Sequence, residues 1–289
     1  MPRRLHLGPV SGLRALGVAA AAVLVLALVV TGRSLRGGGT RPSAQPARPA
    51  AADAPYRIGD RVTCPLAHPV LATADGRSYP PGHPARPPRD ADPVACYQTA
   101  AQATAAGYAP APLPAGVLEL GGVYLVPTSG RLHRRCQEAA GLLGFAVPCP
   151  ALLPQPPPNA PPPTLCDRRS PCSPEAGFLL EVSGFVVPPG YVGVDPATGA
   201  RLAIGAAKTV AAFPVACFGE RPVATVNVRG TRGRLAECPP ESTVHRGGVL
   251  LRWRERGVVM VVSVHGHTDL NRRLVLALAT HVKPVSPKR

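Results

Sequence analysis

The sequence predicts an α+β protein: an N-terminal transmembrane helix, a small Pro-rich domain, then an antiparallel sheet flanked by helices. Three observations predict it. One uncharged apolar run near the start reaches spanning length. A Pro- and Gly-rich stretch follows it and leads to all eight cysteines. From Gly177 onward, short Val- and Leu-rich runs are separated by Arg-Gly turns, with one amphipathic helical pattern before them and one after.

Residues 1–14 read as a cytoplasmic tail. Arg14 and Arg33 bracket ALGVAAAAVLVLALVVTG, residues 15–32, a run of 18 residues without a charge. That is the lower end of what crosses a bilayer as a helix. It exceeds the apolar core of a signal peptide, and no small-x-small cleavage site follows it directly. A retained anchor is favoured over a cleaved signal, for which Ala52-Asp53-Ala54 is a distant site. Residues 33–55, rich in Pro, Gly and Ala, read as a semi-extended tether.

Arginines lie on both sides of the run, so charge does not orient it. The cysteines do. Cys64, Cys96, Cys136, Cys149, Cys166, Cys172, Cys217 and Cys238 are even in number, all lie beyond the run, and include no Cys-x-x-Cys pair. Such a set behind an export signal points to disulfides in an oxidising compartment. Sequence does not give the connectivity. Sequential pairing, 64–96, 136–149, 166–172 and 217–238, keeps each bridge inside one segment; free, buried cysteines are the alternative.

Residues 56–128 read as a small disulfide-containing domain. Its strand-like pieces are 61–63 and 70–72, and its helix is expected over 95–107, capped by Thr99 and stopped by Gly107. VLELGGVYLVP, 117–127, is two β-rich runs joined at Gly121-Gly122. A second domain is expected over 131–285, with a Pro-rich insert at 154–175. In its first helix, 131–145, Leu132, Cys136, Ala139, Ala140 and Leu143 fall at helical spacing. FAVPCPALLP then turns extended. The closing helix, 269–282, has Asp269 as its expected cap and Leu270, Leu274, Leu278 and His281 along one face.

This order carries a resemblance. A helix precedes F-x-V-P-x-P-x-L-L-P, then comes a sheet containing L-x-W-x-E-x-G-V-x-x-x-V-S, then a Leu/Ala helix. The C-terminal half thereby resembles a bacterial extracytoplasmic domain of unknown function found in single-pass, anti-sigma-like proteins. That domain is similar in turn to the lipoprotein-carrier and sigma-regulator sheets. The resembling residues are Phe145, Pro148, Leu153, Pro154, Leu251, Trp253, Glu255, Gly257 and Ser263. The resemblance implies binding or sensing and no catalytic residues; this chain departs from it by its cysteines and its Pro-rich insert. Separately, SYPPGHP…CYQTAAQATAAGY, 78–108, is similar to the zinc ribbon of alkylation-repair proteins. That family closes its site with a Cys pair after Gly-Tyr, where this chain has GYAPAP.

Four constellations could carry chemistry. Cys64, His68, His83 and Cys96 offer two sulfurs and two imidazoles, a tetrahedral zinc set if the sulfurs are thiolates; a 64–96 disulfide is the competing reading. His265, His267 and Asp269 form an H-x-H-x-D similar to that of metallo-β-lactamase-type hydrolases, but the next ligand position is Leu270. Ser183 sits in a strand-like run without a G-x-S-x-G elbow. Arg252, Arg254 and Arg256 alternate with Trp253 and Glu255, which puts the arginines on one face of a strand; that face reads either as a basic stripe for an anionic partner or, as the favoured reading, as a solvated face over a Trp-anchored core.

The net charge is +16, with 29 of the 32 basic residues Arg. Residues 1–55 carry +6 and the last four +2, so half of it lies outside the folded part. With 4 % aromatic residues and no nucleic-acid motif, nucleic acid is not the expected partner. The expected protein is therefore a non-catalytic, cofactor-free binding, sensing or scaffold protein of the cell envelope. It is held to the membrane by one helix, with an anionic envelope polymer or a protein as partner. An envelope metal-binding protein or metallohydrolase using the His/Cys clusters is the alternative.

Overall fold

The computed structural model describes residues 52–58, 61–85, 87, 92–157, 162–165, 177–188, 190, 191, 193–195, 199–209, 219–239 and 247–287. The expected cytoplasmic tail and membrane span, and the tether as far as residue 51, lie outside the described residues. Among those described, no helix is long and apolar enough to cross a membrane.

The chain from residue 49 onward forms one unit built mostly of antiparallel sheet with a few helices. It opens with a hairpin of β1 (Tyr56–Ile58) and β2 (Arg61–Thr63). A small sheet follows, made of β3 (Val70–Thr73), β4 (Arg77–Tyr79), β5 (Pro93–Tyr97) and β6 (Ala109–Pro110) in the order β5-β3-β4-β6. Its one helix is α1 (Ala100–Ala105). The helix expected over 95–107 is thus shorter. Ala95, Cys96 and Tyr97 go to β5, because pairing with β3 buries all three. Thr99 caps α1 in a capping box with Gln102, and Gly107 leaves it at φ 96°. The small core is Val70, Ala72, Ala95, Tyr97 and Ala103.

Next come β7 (Leu118–Leu120) and β8 (Val123–Pro127), joined by the positive-φ pair Gly121-Gly122. They were expected with the small domain, but Val123 and Leu125 are buried in the larger core, and β8 pairs with a later strand, β10. α2 (Gly130–Leu143) starts at Ser129, whose hydroxyl accepts from the Leu132 N–H at 3.3 Å, and ends at Gly144 in the left-handed region. Leu132, Cys136, Ala139, Ala140 and Leu143 are its buried stripe. β9 (Val147–Pro150) and β10 (Leu152–Pro154) are the extended segment that follows.

The main sheet takes β11 (Thr164–Leu165), β12 (Phe178–Ser183), β13 (Val194–Asp195), β14 (Gly199–Ala207), β15 (Arg221–Val228), β16 (Thr231–Cys238), β17 (Gly248–Glu255) and β18 (Val258–His265). Its order is β11-β12-β14-β18-β17-β16-β15, with β13 beside β14. α3 (Asp269–His281) and β19 (Val282–Val285) close the unit, and β19 pairs with β9. Phe178, Leu180, Leu202, Ile204, Leu251 and Met260 line one sheet face and meet α2 and α3 in a single core. Fully burying each contributes about 1.5–3 kcal/mol.

The cap of α3 is Thr268, not Asp269. The Thr268 hydroxyl accepts from the Asn271 N–H at 3.2 Å, while Asp269 is exposed and pairs with Arg272 at 2.7 Å. Leu274 and Leu278 are buried as expected; His281 is exposed and turns to the Ala277 carbonyl.

Candidate functional site

The sheet has a second face, and its chemistry follows from strand alternation. On β16 and β17, Leu235, Val249, Leu251 and Trp253 point into the core. The residues between them point the other way. They include Arg232, Arg234 and Ala236 on β16, and Leu250, Arg252 and Arg254 on β17; Ala236 and Leu250 are buried with Val261 in a small second cluster, and the arginines lie beyond it. The register places Arg234 directly opposite Arg252, and Arg232 and Arg254 continue the two strands one step beyond Gly233 and Trp253. Four guanidiniums therefore share one small area of rigid sheet. Like charges placed directly opposite one another destabilise a strand pair.

Among the described residues, Glu220 is the carboxylate that pairs with these arginines. Glu220 approaches Arg252 Nη2 at 3.1 Å and Arg234 Nε at 3.6 Å. Glu220 and Arg252 are mostly buried, with side chains 15 % and 19 % exposed, whereas Arg234 is 55 % exposed. Arg254 donates to the Gly257 carbonyl at 3.0 Å, and Arg232 is exposed. Next to these, β15 presents only short side chains: Thr225 lies opposite Arg234, and Asn227 opposite Arg232. The result is an anion-receptive surface. Planar guanidiniums present forked donors that match carboxylate and phosphate oxygens.

The stripe expected from sequence was Arg252, Arg254 and Arg256. Arg256 does not belong to it. It stands in the β17–β18 turn at φ 51°, followed by Gly257 at φ 77°, the geometry of a type I′ hairpin. Arg232 and Arg234 take its place. Their signal was present in the alternation of TRGRLAE, but only the pairing of β16 with β17 puts them beside Arg252 and Arg254.

Trp253 and Glu255 belong to the core side. Trp253 is buried, its indole N–H donates to Glu255 Oε2 at 3.1 Å, and Arg229 grips the same carboxylate oxygen. The W-x-E spacing thus gives a buried indole its partner at the sheet end. Phe145, Leu153 and Leu251, also quoted for the resemblance, are core residues, and Gly257 is the turn just described.

The other expected constellations are placed as follows. Cys64 is bonded to Cys96 and Cys136 to Cys149. Cys238 is disulfide-bonded as well, while Cys166, Cys172 and Cys217 lie outside the described residues. The four-ligand zinc set of Cys64, His68, His83 and Cys96 is not assembled. Its sulfurs are spent on each other, and His68 faces Asp53 at 2.5 Å. The His83 ring packs edge-on between Tyr79 and Tyr124, at 5.7 and 5.3 Å between centroids.

At the other cluster, Asp269 turns to Arg272, and the backbone carbonyl of His265 accepts from Asn271 Nδ2 at 2.7 Å. Ser183 is half-buried at the end of β12. Among the described residues, no three His, Cys, Asp or Glu side chains stand close enough to hold a metal ion. Burial pushes the Tyr124 phenol up to about 12 and that of Tyr191 higher still, so both stay protonated at neutral pH.

No protein-family model matches this chain, and no curated protein matches it.

Proposed function

We propose that this chain is a non-catalytic binding or sensing protein of the bacterial cell envelope. In this reading it is anchored by the helix expected over 15–32, with its cysteine-bearing part extracytoplasmic. It engages an anionic partner through Arg232, Arg234, Arg252 and Arg254. The carrying observation is the cross-strand placement of Arg234 opposite Arg252, with Glu220 against both and Arg232 and Arg254 one step on. Two like unit charges on directly opposite strand residues, at about 6 Å, repel by about 0.7 kcal/mol even in water, and by more at a protein surface. Glu220 already offsets part of this repulsion, and a carboxylate- or phosphate-bearing partner meets the charge left over on the exposed Arg232 and Arg234. The disulfides support an oxidising compartment, and the resemblance of the C-terminal half supports binding over chemistry.

The test uses the full chain in detergent micelles with poly-L-glutamate and polyphosphate as probes. Binding is expected at low salt and should fade as ionic strength passes about 0.15 M. The R232Q/R234Q pair should weaken it about tenfold, at roughly 1.4 kcal/mol, whereas R131Q on the exposed start of α2 should not. Equal binding by R232Q/R234Q and the parent would refute the arginine face. A reporter fusion showing the C-terminal part in the cytosol would refute the compartment.

A further inference from the structure

The arginine face adjoins an open sheet edge, and the two together define a partner more narrowly. β15 is the end strand of the main sheet and, among the described residues, pairs only with β16. The opposite end is closed differently, by the two-residue strand β11. Of the eight residues of β15, six are exposed and only Val228 is buried; Val223 is 43 % exposed. Its sequence nevertheless reads as a strand built for pairing. Between Arg221 and Arg229 stand Pro-Val-Ala-Thr-Val-Asn-Val, β-branched in four of seven positions and without a charge. Protected edges usually carry an inward charge, a lysine or a twist along their length. Here Pro222 and the bulge at Val223 occupy only the first end, and Ala224–Val228 runs in unbroken register against Leu235–Thr231.

We infer that Ala224–Val228 is a docking edge for an extended acidic peptide of a protein partner, which adds to the sheet as a strand and meets Arg232 and Arg234 with its carboxylates. The inference rests on the anion-binding reading above and gives it an address. An added strand lies about 4.8 Å beyond β15 and so about 9.6 Å from β16. Its alternate side chains project on the arginine face. The side chains in between are small or turned aside: Thr225, and Asn227, whose Oδ1 accepts from the Gly230 N–H at 2.7 Å. A Glu reaching inward and an Arg reaching outward span that gap. A second copy of this chain fits less well. Its β15 has no carboxylate to offer, and antiparallel pairing centred on Thr225 would set Arg221 against Arg229. A phosphate polymer offers charge without the alternating N–H and C=O that an edge recognises.

The test uses the full chain in micelles and a capped heptapeptide of alternating Glu and Val. Its controls are the same peptide N-methylated at alternate residues in both registers, and polyphosphate. Binding of the parent peptide is expected, with slowed amide exchange at Ala224–Val228. N-methylation in at least one register should weaken it about tenfold or more, as two or three backbone hydrogen bonds are lost. R234Q should weaken it as well. Equal binding of all peptides would overturn strand addition while leaving the arginine face intact, as would binding of polyphosphate but no peptide. Binding of neither probe would overturn both readings. A peptide that protects amides elsewhere but not in β15 would also overturn the docking edge.

Discussion

Removing the Cys64–Cys96 disulfide should open the small sheet while the large one stays closed. The bond joins residues 32 apart, and the loop-entropy relation assigns such a bridge about 4 kcal/mol. The structure shows why so little else could replace it. The core it serves is one Val, one Tyr and three Ala, and a core that small is where cross-links matter most. Its ties to the rest of the unit include the His83 ring against Tyr124 and the close approach of Gly82 to Val186. The Cys136–Cys149 bond differs. It spans 13 residues, which assigns it about 3 kcal/mol, and both its cysteines are buried inside the main core. The experiment is amide exchange followed by mass spectrometry on a C64A/C96A variant, with limited proteolysis alongside. Amides of β3, β4 and β5 should exchange freely, cleavage should concentrate before residue 111, and β14, β17 and β18 should keep their protection. The C136A/C149A variant should instead lose protection throughout. Retained protection of β3 to β5 in C64A/C96A, or a collapse of the whole unit, would refute the reasoning.

Other outcomes can be checked separately. Glu255→Ala strips the partner from a buried indole N–H and should cost about 1–3 kcal/mol, with a shift in the emission of Trp253, the chain's one tryptophan. Arg256→Asn should stabilise the β17–β18 hairpin by about 0.5–1 kcal/mol in denaturant melts. A left-handed Arg costs more than a left-handed Asn, and the bond it gives up, to Ser286, is exposed. The Tyr124 phenol is raised to about 12 by burial, so the unfolded chain loses its proton first. Stability should therefore hold below pH 10 and fall as pH rises from 10 towards 12, with Tyr124 contributing on the order of 2 kcal/mol; Tyr124→Phe should remove that share and leave the part due to Tyr191 and the other raised phenols.

Most elements were legible because their signals are local. Leu132, Cys136, Ala139, Ala140 and Leu143 mark α2 by spacing alone, and Arg229-Gly230 and Arg256-Gly257 mark hairpins by their glycines. What was not legible depends on partners distant in sequence. Ala95–Tyr97 looks helical until β3 offers it a ladder. Asp269 and Thr268 both suit a cap, and the presence of Arg272 one turn on draws the Asp away. The site was half visible for the same reason. Alternation announces Arg252 and Arg254, but that Arg232 and Arg234 stand beside them follows from a pairing register that spacing does not encode.

The position of β18 in the sheet also has a bearing on synthesis. It lies between β14 and β17, with Leu202 paired to Val264 and Val249 to Val264 on its other side. A strand made after every other strand of the main sheet thus fills its middle, and β19, later still, completes the pairing of β9. The small sheet has all its strands once residue 110 has emerged, whereas the large one waits for almost the whole described chain. Until then the β12 and β14 ribbon has an apolar face with no centre to close on, so it is during this interval, rather than after folding, that the chain most depends on whatever shields nascent segments.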